Sequence, residues 1–168
     1  MVAANMEHVN NRWKVVRLPI QFATKPLIFA QMVTENDSFP ANVRIRNVST
    51  TQFEIKVVEE EGADNLHGDE TVAWFAIEPG SQTTNFPFVA GNVMANNNWK
   101  TVNLPTPLPA TAGLITSVQS NNEMDPMVVR FRNPSTSSFD VFLQEEMSAD
   151  VETSHINESL GYLHFKYW

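Results

Sequence analysis

The chain has 168 residues, 42% of them hydrophobic and 18% charged, with no cysteine and a formal net charge of −8. That length can bury one core or two small ones, and the composition is too apolar for a disordered segment. The missing cysteine excludes a disulfide scaffold, a zinc–thiolate site and a thiol nucleophile, and 11 basic residues against 19 acidic ones argue against nucleic acid or anionic lipid as a partner.

Asparagine (17) and threonine (13) are abundant, glycine (6) is scarce, and 10 prolines leave few windows for a helix, so the composition points to an all-β protein. Residues 1–9 are polar and read as an N-terminal arm with no apolar core, so no signal peptide is expected, and nothing in the chain approaches the roughly 18 apolar residues of a membrane helix. Residues 13–18 form a first expected strand, and 27–34 a second, mostly apolar one. Residues 42–47 alternate, Val43 and Ile45 on one face and Arg44 and Arg46 on the other. Residues 52–60 alternate again through Phe53, Ile55 and Val57, and 70–78 (ETVAWFAIE) close the set. The intervening NDSFP, NVSTT and GADNLHGD segments carry turn chemistry.

The same text is then written a second time. An offset of 86 residues aligns 10–64 with 96–150 without a gap, and 20 of the 55 positions are identical. NNRWKVVRLP faces NNNWKTVNLP; Arg44, Arg46, Asn47, Phe53, Glu59, Glu60 and Asp64 face Arg130, Arg132, Asn133, Phe139, Glu145, Glu146 and Asp150. Two residues further out of step, His67 faces His155, Glu70 faces Glu158 and Trp74 faces Tyr162. The organisation expected is an arm at 1–9, a β-sandwich repeat at 10–80, a linker at 81–95 and a second repeat at 96–168. Each repeat would hold five or six antiparallel strands and no substantial helix.

This pattern resembles the H-type lectin family: a tryptophan strand (Trp13, Trp99), an apolar strand (Phe29, Ile115), a V-R-x-R-N strand (Val43, Val129), a strand opening on Phe53 or Phe139, and a last strand through Trp74-Phe75-Ala76-Ile77 or Tyr162. The resemblance implies six-stranded antiparallel sandwiches, assembly into oligomers, and binding of N-acetylgalactosamine-type sugars. It rests on core positions and carries no sugar-contacting residue across.

Three groups of side chains are candidates for function. Glu60, Asp64, His67 and Glu70 recur as Glu146, Asp150, His155 and Glu158. Carboxylates with a histidine suit a cation, with structural calcium the first possibility, although the loop lacks the ligand spacing of calcium loops. The alternative is a hairpin whose acids and histidine bond one another across the turn. The paired arginines, Arg44 with Arg46 and Arg130 with Arg132, suit a sugar acid or an acidic subunit surface, or else simple cross-strand pairing with Glu54, Glu60 and their counterparts Asp140 and Glu146. Trp74 and Trp168 are large enough to anchor an interface or stack on a ligand, whereas Trp13 and Trp99 are expected in or beside the cores.

Catalytic signatures are not seen: only four histidines occur, and neighbouring strand carboxylates point to opposite faces. No organic cofactor is expected. The sequence is read as a non-catalytic, self-assembling surface component such as a virion decoration, spike or fibre protein. The alternative is a carbohydrate-binding module with two repeated sites. Expected partners are copies of itself, other subunits of an assembly and possible glycans, with no nucleic acid and no membrane insertion. The expected location is a virion or extracellular surface reached without a secretory leader, or otherwise the cytoplasm.

Overall fold

A computed structural model describes residues 1–110 and 112–166. These form thirteen strands and no helix: β1 (Val2–Val9), β2 (Lys14–Arg17), β3 (Leu27–Met32), β4 (Ala41–Arg46), β5 (Gln52–Glu59), β6 (Glu70–Ile77), β7 (Gly80–Gln82), β8 (Phe88–Ala95), β9 (Lys100–Asn103), β10 (Ala112–Val118), β11 (Met127–Arg132), β12 (Ser138–Glu145) and β13 (Glu158–Lys166). Every pairing is antiparallel. The sheets are β1-β6-β3 with β2-β5-β4 in the first unit, and β10-β13-β8-β7 with β11-β12-β9 in the second. The protein is therefore all-β and built as face-to-face antiparallel sheets, as the turn-rich composition indicates.

Alternation along β5 and β6 makes the first core. Phe53, Ile55 and Val57 of β5 face Val72, Trp74 and Ala76 of β6, all buried. The Phe53 and Trp74 rings meet edge-on at 5.2 Å. In the second core Phe139, Val141 and Leu143 face Leu160 and Tyr162, and Phe139 meets Tyr162 edge-on, again at 5.2 Å. Trp74 thus fills a core at 3% exposure and is not placed to anchor a ligand. Trp13 and Trp99 lie on the outer faces instead, each beneath a guanidinium 4.0 Å from the ring centre, Arg46 and Arg132 respectively. Trp99 is 42% exposed and lies beside the second core, not in it. Trp168 lies outside the described residues.

Two boundaries expected from sequence differ from the structure. Residues 2–9 are not an arm: β1 pairs along its whole length with β6, from Val2 opposite Ile77 to Val9 opposite Glu70. Only Ala3 and Val9 of this strand are buried, so its apolar signal is weak. The segment expected as a linker contains β8 and all of β7 except Gly80, and β8 pairs with β13 from Ala95 opposite Glu158 to Phe88 opposite Phe165. Val2 and Phe88, the first residues of β1 and β8, stand 86 residues apart, the same offset that aligns the sequence copies.

The strand after each V-R-x-R turns on an asparagine with positive φ, 50° at Asn47 and 52° at Asn133, a conformation asparagine tolerates better than most residues. Each asparagine amide also donates to the acid opposite, Glu54 at 3.0 Å and Asp140 at 2.9 Å. A third apolar cluster joins the two units: Leu27, Phe29 and Ile77 of the first pack against Ala90 and Leu163 of the second. No helix among the described residues is long and apolar enough to cross a membrane.

Candidate functional site

Each unit carries a buried histidine held between carboxylates. In the first, the end of β5 supplies Glu59, the start of β6 supplies Glu70, and the β5–β6 loop supplies His67. His67 Nδ1 stands 3.0 Å from Glu59 Oε1 and Nε2 stands 3.4 Å from Glu70 Oε1. All three side chains are nearly inaccessible to solvent. The second unit repeats the arrangement: His155 Nδ1 is 2.9 Å from Glu145 Oε1, and Nε2 is 3.7 Å from Glu158 Oε1. A further acid comes from the preceding loop, Asp37 in one unit and Glu123 in the other.

Glu70 and Glu158 are also the anchors of those loops. Glu70 accepts from the backbone N–H of Asn36 at 2.8 Å and of Asp37 at 3.1 Å, and from the Thr34 hydroxyl. Glu158 accepts from the N–H of Asn122 at 2.7 Å and of Glu123 at 3.2 Å, and from the Ser120 hydroxyl. Burial would raise both carboxyl pKa values, but these hydrogen bonds and the adjacent histidine more than offset it and hold both below the usual range. For His155, burial acts downward, and the hydrogen bonds to Glu158 and Glu145 together with the charges of Glu123 and Glu145 outweigh it, leaving the imidazole above its ordinary value. Burial pushes the Glu145 carboxyl up.

The recurring acid–histidine motif therefore divides in two. His67, Glu70, His155 and Glu158 converge, while Glu60, Asp64, Glu146 and Asp150 stand apart. Asp64 and Asp150 are exposed and cap their own turns on the N–H of Leu66 and Glu152. Glu59, Glu145, Asp37 and Glu123 take the expected places instead. In each unit, one atom each of Asp37, Glu59 and His67, or of Glu123, Glu145 and His155, lie within 4.8 Å of one another. Chemically, the set can hold an imidazolium between acids. With that proton gone, it offers one imidazole nitrogen and two carboxylates to a divalent transition cation. Glu59 Oε2 and Glu145 Oε2 are buried without a hydrogen-bond partner.

The arginines divide more sharply. Arg44, on β4, is 2% exposed and leaves its own unit. Its Nη1 donates to the Asp125 carbonyl at 3.1 Å, and its Nη2 donates to the Glu123 carbonyl at 3.0 Å and to Glu158 Oε1 at 3.3 Å. Nearby, Asn42 donates to the Met127 carbonyl at 3.1 Å, Glu146 accepts from the Glu61 N–H at 2.6 Å, and Ser148 Oγ accepts from the Gly62 N–H at 2.7 Å. Gln119 closes the other side of this junction with two bonds to the backbone of Ile28. Arg46 and Arg132 make the cross-strand pairs, with Glu54 at 2.6 Å and Asp140 at 3.2 Å. Arg130, the counterpart of Arg44, is exposed and donates to Gln144 on its own sheet, at 2.7 Å.

Comparisons with known proteins are sparse. No protein-family profile matches the sequence, and no solved structure matches it. Halomucin of Haloquadratum walsbyi is 28% identical over 145 residues, 82% of this chain. The chain spans only about 2% of that protein's length.

Proposed function

We propose that this chain is a non-catalytic, self-assembling structural protein of a particle or cell surface, in the manner of a decoration, spike or fibre subunit. One observation carries the reading: positions that are buried on β4 of the first unit stand open at their counterparts on β11 of the second. Ile45 is 1% exposed in the first unit's own core and Arg44 is 2% exposed against the second unit, whereas their counterparts Phe131, at 45%, and Arg130 lie open on β11, as does Val128 at 43%. Ile115 on the neighbouring β10 is 40% exposed. Exposed large apolar side chains and an exposed arginine suit a protein interface. The likeness to a short stretch of a far longer protein fits a module used as a building block. Sedimentation velocity on the purified chain over a micromolar range tests this: self-association is expected, and a single monomeric species throughout would overturn it.

Glycan binding is the second reading. The half-exposed Trp99, repeated in kind at Trp13, supports it, together with the resemblance to H-type lectins. A glycan array run with calcium and then with a chelator tests it. Clear binding to a narrow sugar class would make this reading primary.

A further inference from the structure

The two histidine sites differ by one cation. In the second unit Glu123, Glu145 and Glu158 surround His155, and Arg44 brings a guanidinium to 3.3 Å from Glu158. In the first unit Asp37, Glu59 and Glu70 surround His67. Among the described residues, Glu59 and Glu70 form ion pairs with His67 alone. Where Glu158 meets Arg44, Glu70 instead borders a cavity of about 300 Å³, lined also by Asp37, His67 and Thr34.

Both ring nitrogens of His67 face a carboxylate, Nδ1 at 3.0 Å from Glu59 and Nε2 at 3.4 Å from Glu70. A neutral imidazole has one N–H, so it meets one of these acids with a proton and the other with a lone pair. With the proton on Nε2, toward Glu70, the Nδ1 lone pair is turned to Glu59. That is the arrangement of a metal-bound histidine, whose other ring nitrogen faces a carboxylate that fixes the tautomer. A second observation points the same way. Glu59 is 2% exposed, and its Oε2 is buried without a hydrogen-bond partner, so a carboxylate shielded from water stands beside Nδ1 short of positive charge. Asp37 completes the set as an anion, because the N–H groups of Gly68 and Phe39 hold its carboxyl below the usual range.

We propose that Asp37, Glu59 and Nδ1 of His67 bind one divalent transition cation of the zinc class, with Glu70 orienting the ring from Nε2. Bonds of about 2.1 Å hold the ligand atoms of a tetrahedral zinc about 3.4 Å apart. The Glu59–His67 pair is close to that spacing, and all three ligand atoms lie within 4.8 Å of one another, so Asp37, on its loop, closes the triangle. One imidazole among few ligands selects a transition cation over calcium, which takes six to eight oxygens. The adjoining cavity leaves room for water at the remaining coordination position. The second unit does not share the site, because the fixed charge of Arg44 opposes a divalent ion there. The bound ion ties the loop that carries Asp37 to the β5–β6 loop.

The test uses the untagged full-length chain, stripped with chelator and titrated with zinc chloride in a calorimeter. One zinc per chain is expected, with a higher melting temperature, and neither calcium nor magnesium should reproduce it. Cobalt in place of zinc should give the visible absorption of a low-coordinate site. Asp37→Asn, a change at a partly exposed loop position, should weaken zinc binding at least about tenfold while the metal-free chain keeps its circular dichroism. His67→Ala should abolish binding, and Glu123→Gln, the matching change in the second unit, should leave it intact. Failure to saturate with zinc would overturn the proposal. So would zinc binding that survives both Asp37→Asn and His67→Ala, which would place the ion on the surface. Two zinc ions per chain, one lost with Glu123→Gln, would overturn the selection of the first unit.

Discussion

Arg44 and Arg130 hold the same place in the sequence repeat, so replacing each by alanine isolates the worth of the junction. Arg44 is 2% exposed, and its ion pair with Glu158 is shielded from water on both sides. Removing one member of a buried pair costs about 3–5 kcal/mol, most of it from the charge left behind. Here Glu158 keeps the N–H groups of Asn122 and Glu123 and the Ser120 hydroxyl, which favours the lower end of that range. The carbonyls of Glu123 and Asp125 lose their donor as well. Arg44→Ala should therefore lower stability by about 3 kcal/mol. For a chain of this size that means a melting temperature lower by about 6–12 °C. Arg130→Ala, at an exposed site, should stay within about 0.5 kcal/mol of wild type in dilute solution. Urea unfolding and calorimetry at low protein concentration measure both. An Arg44→Ala variant within about 1 kcal/mol of wild type would refute the reasoning, and so would an Arg130→Ala variant equally destabilised.

Three further outcomes follow from the same geometry. Burial, with Asp125 against it and Asp150 and Glu146 nearby, pushes the Glu61 carboxyl up to about 7. A raised carboxyl favours the folded state at low pH and loses that advantage as pH rises toward the folded value, so Glu61→Gln should stabilise the chain more at pH ~8 than at pH ~5; equal effects at both would count against it. The raised His155 contributes stability that is complete below its unfolded value of about 6.5 and fades as pH rises through the folded value. His155→Gln should therefore cost more at pH ~6 than at pH ~9, and in a His67→Ala chain a chelator should leave the melting curve unmoved; a drop of several degrees in chelator would replace the imidazolium with a cation. Finally, a Cβ added at Gly91 would stand 2.4 Å from the Tyr162 hydroxyl, its cross-strand neighbour, so Gly91→Ala should cost about 1–3 kcal/mol. Adding the alanine to a Tyr162→Leu background should cost much less, and an undiminished cost would place the strain elsewhere.

Much of this architecture can be read from the residues. Alternation in Phe53-x-Ile55-x-Val57 places the inner face of β5, and continued by one step it reaches Glu59, the acid that meets His67. Reading Glu60 as the partner loses that parity, since Glu60 points to the opposite face. Asp37 and Glu123 carry no comparable signal, because they reach the histidines from loops that only the tertiary fold brings near. β1 escapes a sequence reading for a different reason. It is a sheet edge with two buried side chains, and its stability comes from backbone pairing with β6. The arginines mark the limit most clearly. RIRN and RFRN are near-identical text, yet Arg44 is buried and Arg130 exposed, because burial depends on which unit lies against the strand.

The most direct test of the account is the mass of the wild-type chain in solution, by sedimentation equilibrium across a micromolar concentration series. Self-assembly predicts an average mass that climbs above the 18.9 kDa of one chain as concentration rises. A mass fixed at 18.9 kDa throughout would contradict it.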